Sequence, residues 1–267
     1  MCLQSRETSI ETKVPIEQGI ASSPAPTADA SFRTVQRWDE YTATDHEVWS
    51  LLYERRMGAL EETASRVFRS GARAIGLRSD RVPDLDEVNR RLEPLTGWRS
   101  IPVTGFIPAA DFFGCLAERR FPTTVTVRPK DSLDYVPEPD IFHDVFGHVP
   151  LHADPVFADF LQGFGRAASL ARTPEETEAM GRLFWFTVEF GLVREDGELK
   201  VYGSGLISSA GDAANALGPS CDRRPFSLDA VVAQPVEIDR LQDVLFVVDS
   251  FDQLFAAVEE ATARLRS

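Results

Sequence analysis

Four histidines occur in the chain, and three of them, His143, His148 and His152, fall within the segment "PDIFHDVFGHVPLH". Neutral imidazole is the commonest metal ligand, so the spacing decides which pair could share an ion. His143 and His148 are five positions apart, about 140° around an α-helix, which turns the rings away from each other. A helix running through Phe142 to Phe146 and fraying at Gly147 would let the second ring swing back. The bland alternative is two polar side chains at a helix end. His148 and His152, four apart, would share a helical face. Pro150 between them argues against a continuous helix, so His152 is expected near the site or exposed, and not as a ligand.

Two imidazoles and one carboxylate leave coordination positions open, the donor set of non-haem Fe(II) oxygenases and also of some zinc hydrolases. Asp140 and Asp144 are near in sequence, but local carboxylates are equally suited to solvent or to supporting a ligand. Glu189 is more informative. It lies in "RLFWFTVEFGL", an almost wholly apolar run where a charge is costly unless it is paired or metal-bound. Trp185 precedes it by one turn on the same face, and Arg182 is the partner that would make Glu189 an ordinary ion pair.

The elements that must carry these residues are mostly helices. "TATDHEVWSLLYERRMGAL" opens with a Thr44-x-x-Glu47 capping box and places Trp49, Leu52, Tyr53, Met57 and Leu60 on one face. "DLDEVNRRLEPLTGW" reads as a helix stopped near Pro94 with Gly97 beyond. Asp154 and Thr173 each precede a proline as N-caps of two further helices, the first burying Phe157, Phe160, Leu161 and Phe164. Strands are few: 123–128, a hairpin turning at Asp196-Gly197, and 244–248. The expected fold class is mainly α, with a minor α+β component of short hairpins, in a single catalytic domain over 32–267. Residues 1–31, rich in Ser, Thr, Ala and Pro without periodicity, read as a disordered tail.

Composition narrows the function further. The chain has 267 residues, 18 phenylalanines, a formal net charge of −14 and a pI near 4.8. No dense basic stripe offsets that acidity, which argues against a nucleic-acid partner. Cys2, Cys115 and Cys221 stand singly, favouring a reducing cytoplasm. No signal-like or membrane-spanning apolar run is present, so no membrane partner is expected. "GSGLISSAG" lacks the spacing of a phosphate-binding loop.

With those residues read, "LDYVPEPDIFHDVFGHVPLHADPVFADFLQGFG", "FWFTVEFGL" and "VYGSGLISSAG" closely resemble the catalytic domain of the pterin-dependent aromatic amino acid hydroxylases, the short bacterial members that act on phenylalanine above all. The likeness runs in order from about residue 38 to 256. It includes "TGWRSIPVTGFIPAADFFGCLAERRFPTTVTVR" and "FVVDSFDQLF".

The resemblance implies that His143, His148 and Glu189 hold Fe(2+). A tetrahydropterin, tetrahydrobiopterin or a related reduced form, would lie against Gly105, Phe106, Ile107 and Phe112, with Asp144 near its edge. Arg128 would bind the α-carboxylate of an aromatic L-amino acid, a task its bidentate fork suits. Pro139, Trp185, Gly205 and Ser208 would line the rest of the substrate site. Iron and pterin together would activate the co-substrate O2 for attack on the ring, with no further catalytic acid or base.

The implied activity is hydroxylation of phenylalanine to tyrosine. Alternatives are 3-hydroxylation to meta-tyrosine, tryptophan hydroxylation or, in another class, zinc-dependent hydrolysis. Departures from the family pattern fall at Phe184, Asp212, Asn215, His152 and in "LQDVLFVVDSF". They bear on substrate and regiochemistry, not on the ligands. With no regulatory or tetramerising segment matched, the expected state is a monomer.

Overall fold

The structure is a computed structural model that describes residues 32–134, 138–236 and 240–267; the expected tail, 1–31, lies outside the described residues. Helix α1, Ala43–Thr63, is capped by Thr42. Its hydroxyl accepts from Asp45 N, and the Asp45 carboxylate accepts from Thr42 N at 2.7 Å. The box sits two residues earlier than the expected Thr44–Glu47 pair, because Thr42 is the last extended residue. α1 buries Val48, Trp49, Leu52, Arg56 and Leu60, while Tyr53 and Met57 stay partly exposed.

Helix α2 spans Arg66–Ala74 and α3 Leu85–Thr96. α3 continues two residues beyond Pro94 and ends at Gly97, whose φ of 76° suits glycine. The missing Pro94 N–H costs one bond in the last turn, not the turn itself.

Strands β1, Arg99–Val103, and β2, Arg120–Thr124, form a parallel pair running from Arg99↔Arg120 to Val103↔Thr124. This corrects the expected 123–128. The β-branched run marks only the end of β2, and each strand contains a proline that a two-stranded sheet can place on a free edge.

Helix α4 (Ala109–Ala117) packs on α5 (Pro155–Ala168), which is capped by Asp154 and buries the four expected residues. α6, Pro174–Phe184, carries the expected Thr173–Glu176 box. β3 (Leu192–Glu195) and β4 (Glu198–Val201) are the expected hairpin. Asp196 at φ 53° and Gly197 at φ 84° make its turn.

The short helix α7, Ser204–Ser208, follows, then α8 (Ala210–Leu217), β5 (Asp222–Pro225), α9 (Leu228–Ala233), β6 (Val244–Val248) and α10 (Phe251–Arg266). The second sheet has the order β4-β3-β6-β5. The fold is therefore mainly helical with two small sheets, as the sequence led one to expect. Its aromatic core wraps the histidine segment: Phe142 stacks on Phe146 at 4.5 Å, with Trp49 and Phe68 edge-on to them.

Candidate metal centre

The histidine segment does not fray at Gly147. Phe142–His148 is a π-helix, continued by a 3-10 turn over Val149–Ala153. Bonding from i to i+5 widens each turn, so two residues five apart come onto one face. The Nε2 atoms of His143 and His148 lie 3.3 Å apart. Gly147 serves a different end from the one expected: a Cβ there would meet Ser204 O at 2.9 Å, so the glycine lets α7 seat against the π-helix.

Glu189 ends a second π-helix, Trp185–Glu189, marked by the Phe190 N–H donating to Trp185 O. Its Oε1 is 3.1 Å from His148 Nε2 and its Oε2 is 3.6 Å from His143 Nε2. Arg182 does not pair with it, bonding Glu178 and Val232 O instead. One ligand atom from each of His143, His148 and Glu189 falls within 4.8 Å of the others.

The residues fit a metal on chemical grounds. Ser208 Oγ donates to Ser204 O at 2.8 Å and lies 2.9 Å from His143 Nδ1. A hydroxyl has one proton, so it accepts from His143 Nδ1–H and leaves the Nε2 lone pair unprotonated. Burial lowers the His143 pKa to about 4, keeping the ring neutral. Burial pushes Glu189 up, but His148, His143 and Ser204 outweigh it and hold the carboxyl at about 2. Two imidazoles and a carboxylate converging in a largely buried site are what a divalent cation resolves.

Arg128 and Asp140 form a buried pair. Nε donates to Oδ2 and Nη2 to Oδ1, each at 2.8 Å, and Nη1 donates to Leu133 O. Asp140 also accepts from His143 N at 3.0 Å, so it ties the arginine to the metal helix and is not itself a ligand. Guanidinium has five N–H donors. One on Nη1 and one on Nη2 have no acceptor among the described residues, so two donors remain unused.

Asp144 is buried, accepts from Thr124 N at 2.6 Å, and is pushed by burial up to about 7. Phe112 meets Phe184 edge-on at 5.4 Å, and Phe184 lies 6.5 Å from the His148 ring, so the aromatic side of the site reaches the ligands. Gly105, Phe106 and Ile107 form the loop between β1 and α4, with Phe106 59% exposed. Pro139 and Trp185 are partly buried. The indole packs 4.9 Å from Phe190, its Nε1 unpartnered among the described residues. Gly205 and Ser208 both lie on α7.

His152 is fully buried, which corrects the alternative of an exposed ring. It stacks on Trp98 at 4.8 Å and abuts Phe121, and neither ring nitrogen has a partner among the described residues. Sequence reasoning missed Ser204 and Arg56 as supports of the ligands. Arg56 lies in the α1 segment but was not singled out; its buried guanidinium donates to Ile207 O and Leu206 O at the end of α7. A charged residue on an otherwise apolar helical face was the available signal.

The model of the biopterin-dependent aromatic amino acid hydroxylases matches residues 30–267. The chain belongs to that family. Among curated relatives, the phenylalanine-4-hydroxylase of Caulobacter vibrioides is 41% identical over 92% of this chain and 83% of its own. The enzyme of the same name from Chromobacterium violaceum is 41% identical over 85% and 76%. A crystal structure of the Chromobacterium violaceum phenylalanine hydroxylase with bound Fe(III) superposes with a TM-score of 0.85 at 40% identity, covering 90% of this chain and 88% of that one. Another, with iron(III) and 7,8-dihydrobiopterin, gives 0.84 at 40%, covering 90% and 89%. In this hydroxylase the three metal-side residues come from two π-helices, and α7 supports two of them through Ser204 and Ser208.

Proposed function

We propose that this hydroxylase is a phenylalanine 4-monooxygenase that forms tyrosine, using Fe(II), a tetrahydropterin and O2. The observation that carries the reading is the convergence of His143, His148 and Glu189 beside the half-free fork of Arg128, with Asp140 bonded to both. The identity of the relatives supports phenylalanine as the substrate and C4 as the site of attack.

Bound iron and reduced pterin supply the electrons that activate O2 for electrophilic attack on the ring. The protein's own part is orientation and shielding. His143, with its tautomer fixed by Ser208, and His148 and Glu189 would hold the metal, three protein ligands that would leave coordination positions open. The remaining Nη1 and Nη2 donors of Arg128 bind the substrate carboxylate in a bidentate grip, which fixes the amino acid's heading. Trp185 and Pro139 give the ring an apolar slot. Phe112, the Gly105–Ile107 loop and Asp144 take the pterin. Asp144 near neutrality could donate or accept at the pterin's polar edge. Packing of Phe112, Phe184 and Phe121 around the ligands keeps bulk water away.

The test is aerobic incubation with Fe(II), tetrahydropterin and either phenylalanine or tryptophan, separating para-tyrosine, meta-tyrosine and 5-hydroxytryptophan. Para-tyrosine is expected as the dominant product. Meta-tyrosine or 5-hydroxytryptophan in its place would reassign the substrate or carbon, and no hydroxylated product would overturn the reading.

A further inference from the structure

Ser204 is fully buried, and its hydroxyl lies 2.6 Å from Glu189 Oε2, with Val188 O a poorer alternative at 3.3 Å. That distance is typical of a charge-assisted O–H···O⁻ bond, in which the acceptor oxygen gives up donor capacity. Oε1 faces only the ligand nitrogen His148 Nε2, at 3.1 Å, and no hydroxyl among the described residues donates to it. The two oxygens of one carboxylate are therefore unequal before any metal arrives.

The hydroxyl cannot easily turn elsewhere, because α7 is fixed at both ends. Ser204 O accepts from Ser208 Oγ and lies 2.9 Å from where a Cβ on Gly147 would be, and Arg56 clamps the carbonyls of Leu206 and Ile207.

Resting on the proposed iron site, we propose that Ser204 is a positioning residue that holds Glu189 to ligation through one oxygen, Oε1, and so keeps one more metal position open. A carboxylate that swung both oxygens onto the metal would fill a position otherwise free for water, O2 or substrate-driven rearrangement. Carboxylate ligands are routinely oriented by hydrogen bonds of this kind. Here the donor comes from the same five-residue helix that supports His143 through Ser208, so one element sets two of the three ligands.

The experiment compares Co(II)-loaded wild type and Ser204→Ala by crystallography, reading both metal–carboxylate oxygen distances. Expected are one oxygen within ligand range, about 2.0–2.2 Å, in wild type and both in the variant. A several-fold fall in kcat at unchanged KM for phenylalanine should accompany the change. Alanine removes only the hydroxyl. Should it fail to fold, Ser204→Cys, whose thiol is a weak donor, replaces it with the same expected distances. Two bound oxygens in wild type, or one in both proteins, would overturn the proposal, since loss of stability alone does not move a metal–oxygen distance. Wild type that takes no Co(II) at His143, His148 and Glu189 would instead overturn the metal-site reading beneath it.

Discussion

Ser208 Oγ stands 2.9 Å from His143 Nδ1 while donating its own proton to Ser204 O. That pairing selects the imidazole tautomer whose Nε2 faces the other ligands. Ser208→Ala frees the ring to flip or change tautomer. Metal affinity should then fall about tenfold, the lower end of what loss of a ligand-orienting group costs. Titration with Co(II) followed by absorption reads this directly, and unchanged affinity would show that packing alone orients the ring.

The Arg128–Asp140 pair predicts a cost in both stability and substrate binding. Side-chain exposures of 7% and 5% mean that Asp140→Asn leaves a buried guanidinium without a countercharge. Such losses typically cost roughly 3–5 kcal/mol. A drop of several degrees in Tm is expected, with KM for phenylalanine raised as the fork loses its anchor. A variant with wild-type Tm and KM would show that Arg128 is held by Leu133 O and packing.

His152 gives a pH dependence whose sign can be worked out. Burial, reinforced by the neighbouring His148, lowers its pKa well below the ordinary 6.5. The unfolded chain takes up that proton first, so His152 costs stability as pH falls below about 6.5. Asp144, raised to about 7, acts in the opposite direction, so the informative quantity is the difference between two proteins. His152→Leu removes two unpartnered buried nitrogens and should stabilise the metal-free protein by about 1 kcal/mol at pH 7.5. The gap should widen on acidification, by at most about 1.4 kcal/mol per pH unit. Urea unfolding at pH 7.5 and 5.5 checks it, and a gap constant with pH would sink the assignment.

Gly147→Ala should be among the most damaging single-methyl changes. The added carbon would meet Ser204 O at 2.9 Å, and both partners are backbone-held. α7 must shift, taking Ser204 from Glu189 and Ser208 from His143 together. Metal retention after dialysis against a chelator should fall by at least about tenfold. Retention equal to wild type would mean that α7 can move without disturbing the ligands.

Much of this was legible in the residues. N-caps at Asp154 and Thr173, the Asp196-Gly197 turn and the strand at 244–248 follow from local chemistry that operates within four or five residues. Glu189 stood out because a carboxylate in an apolar run needs a reason. The two π-helices were not legible, since a reading built on 3.6 residues per turn separates His143 from His148 and hence invents a frayed end at Gly147. β1 and the true register of β2 were hidden because each strand carries a proline and their pairing is non-local. Ser204 was hidden too: a serine in a glycine-rich stretch carries no mark until the fold places a carboxylate 2.6 Å away. His152 misled in the other direction, as a polar side chain packed between Trp98 and Phe121 and kept entirely from solvent.

The π-helix at Phe142–His148 bears on how such a centre tolerates changes in chain length. A turn closed by i→i+5 bonds holds one residue more than an ordinary helical turn. Deleting a single residue between the two histidines would let the backbone relax to the common helix, at a gain in local regularity. The rings would then stand at i, i+4, still on one face of the common helix, and the segments on either side, α5 with its phenylalanines included, would keep their register, because the wide turn had already absorbed the extra residue. The surplus residue is thus an insertion contained within a single turn, whose removal would shift the ligands and Gly147 against α7 and leave the surrounding helices in place.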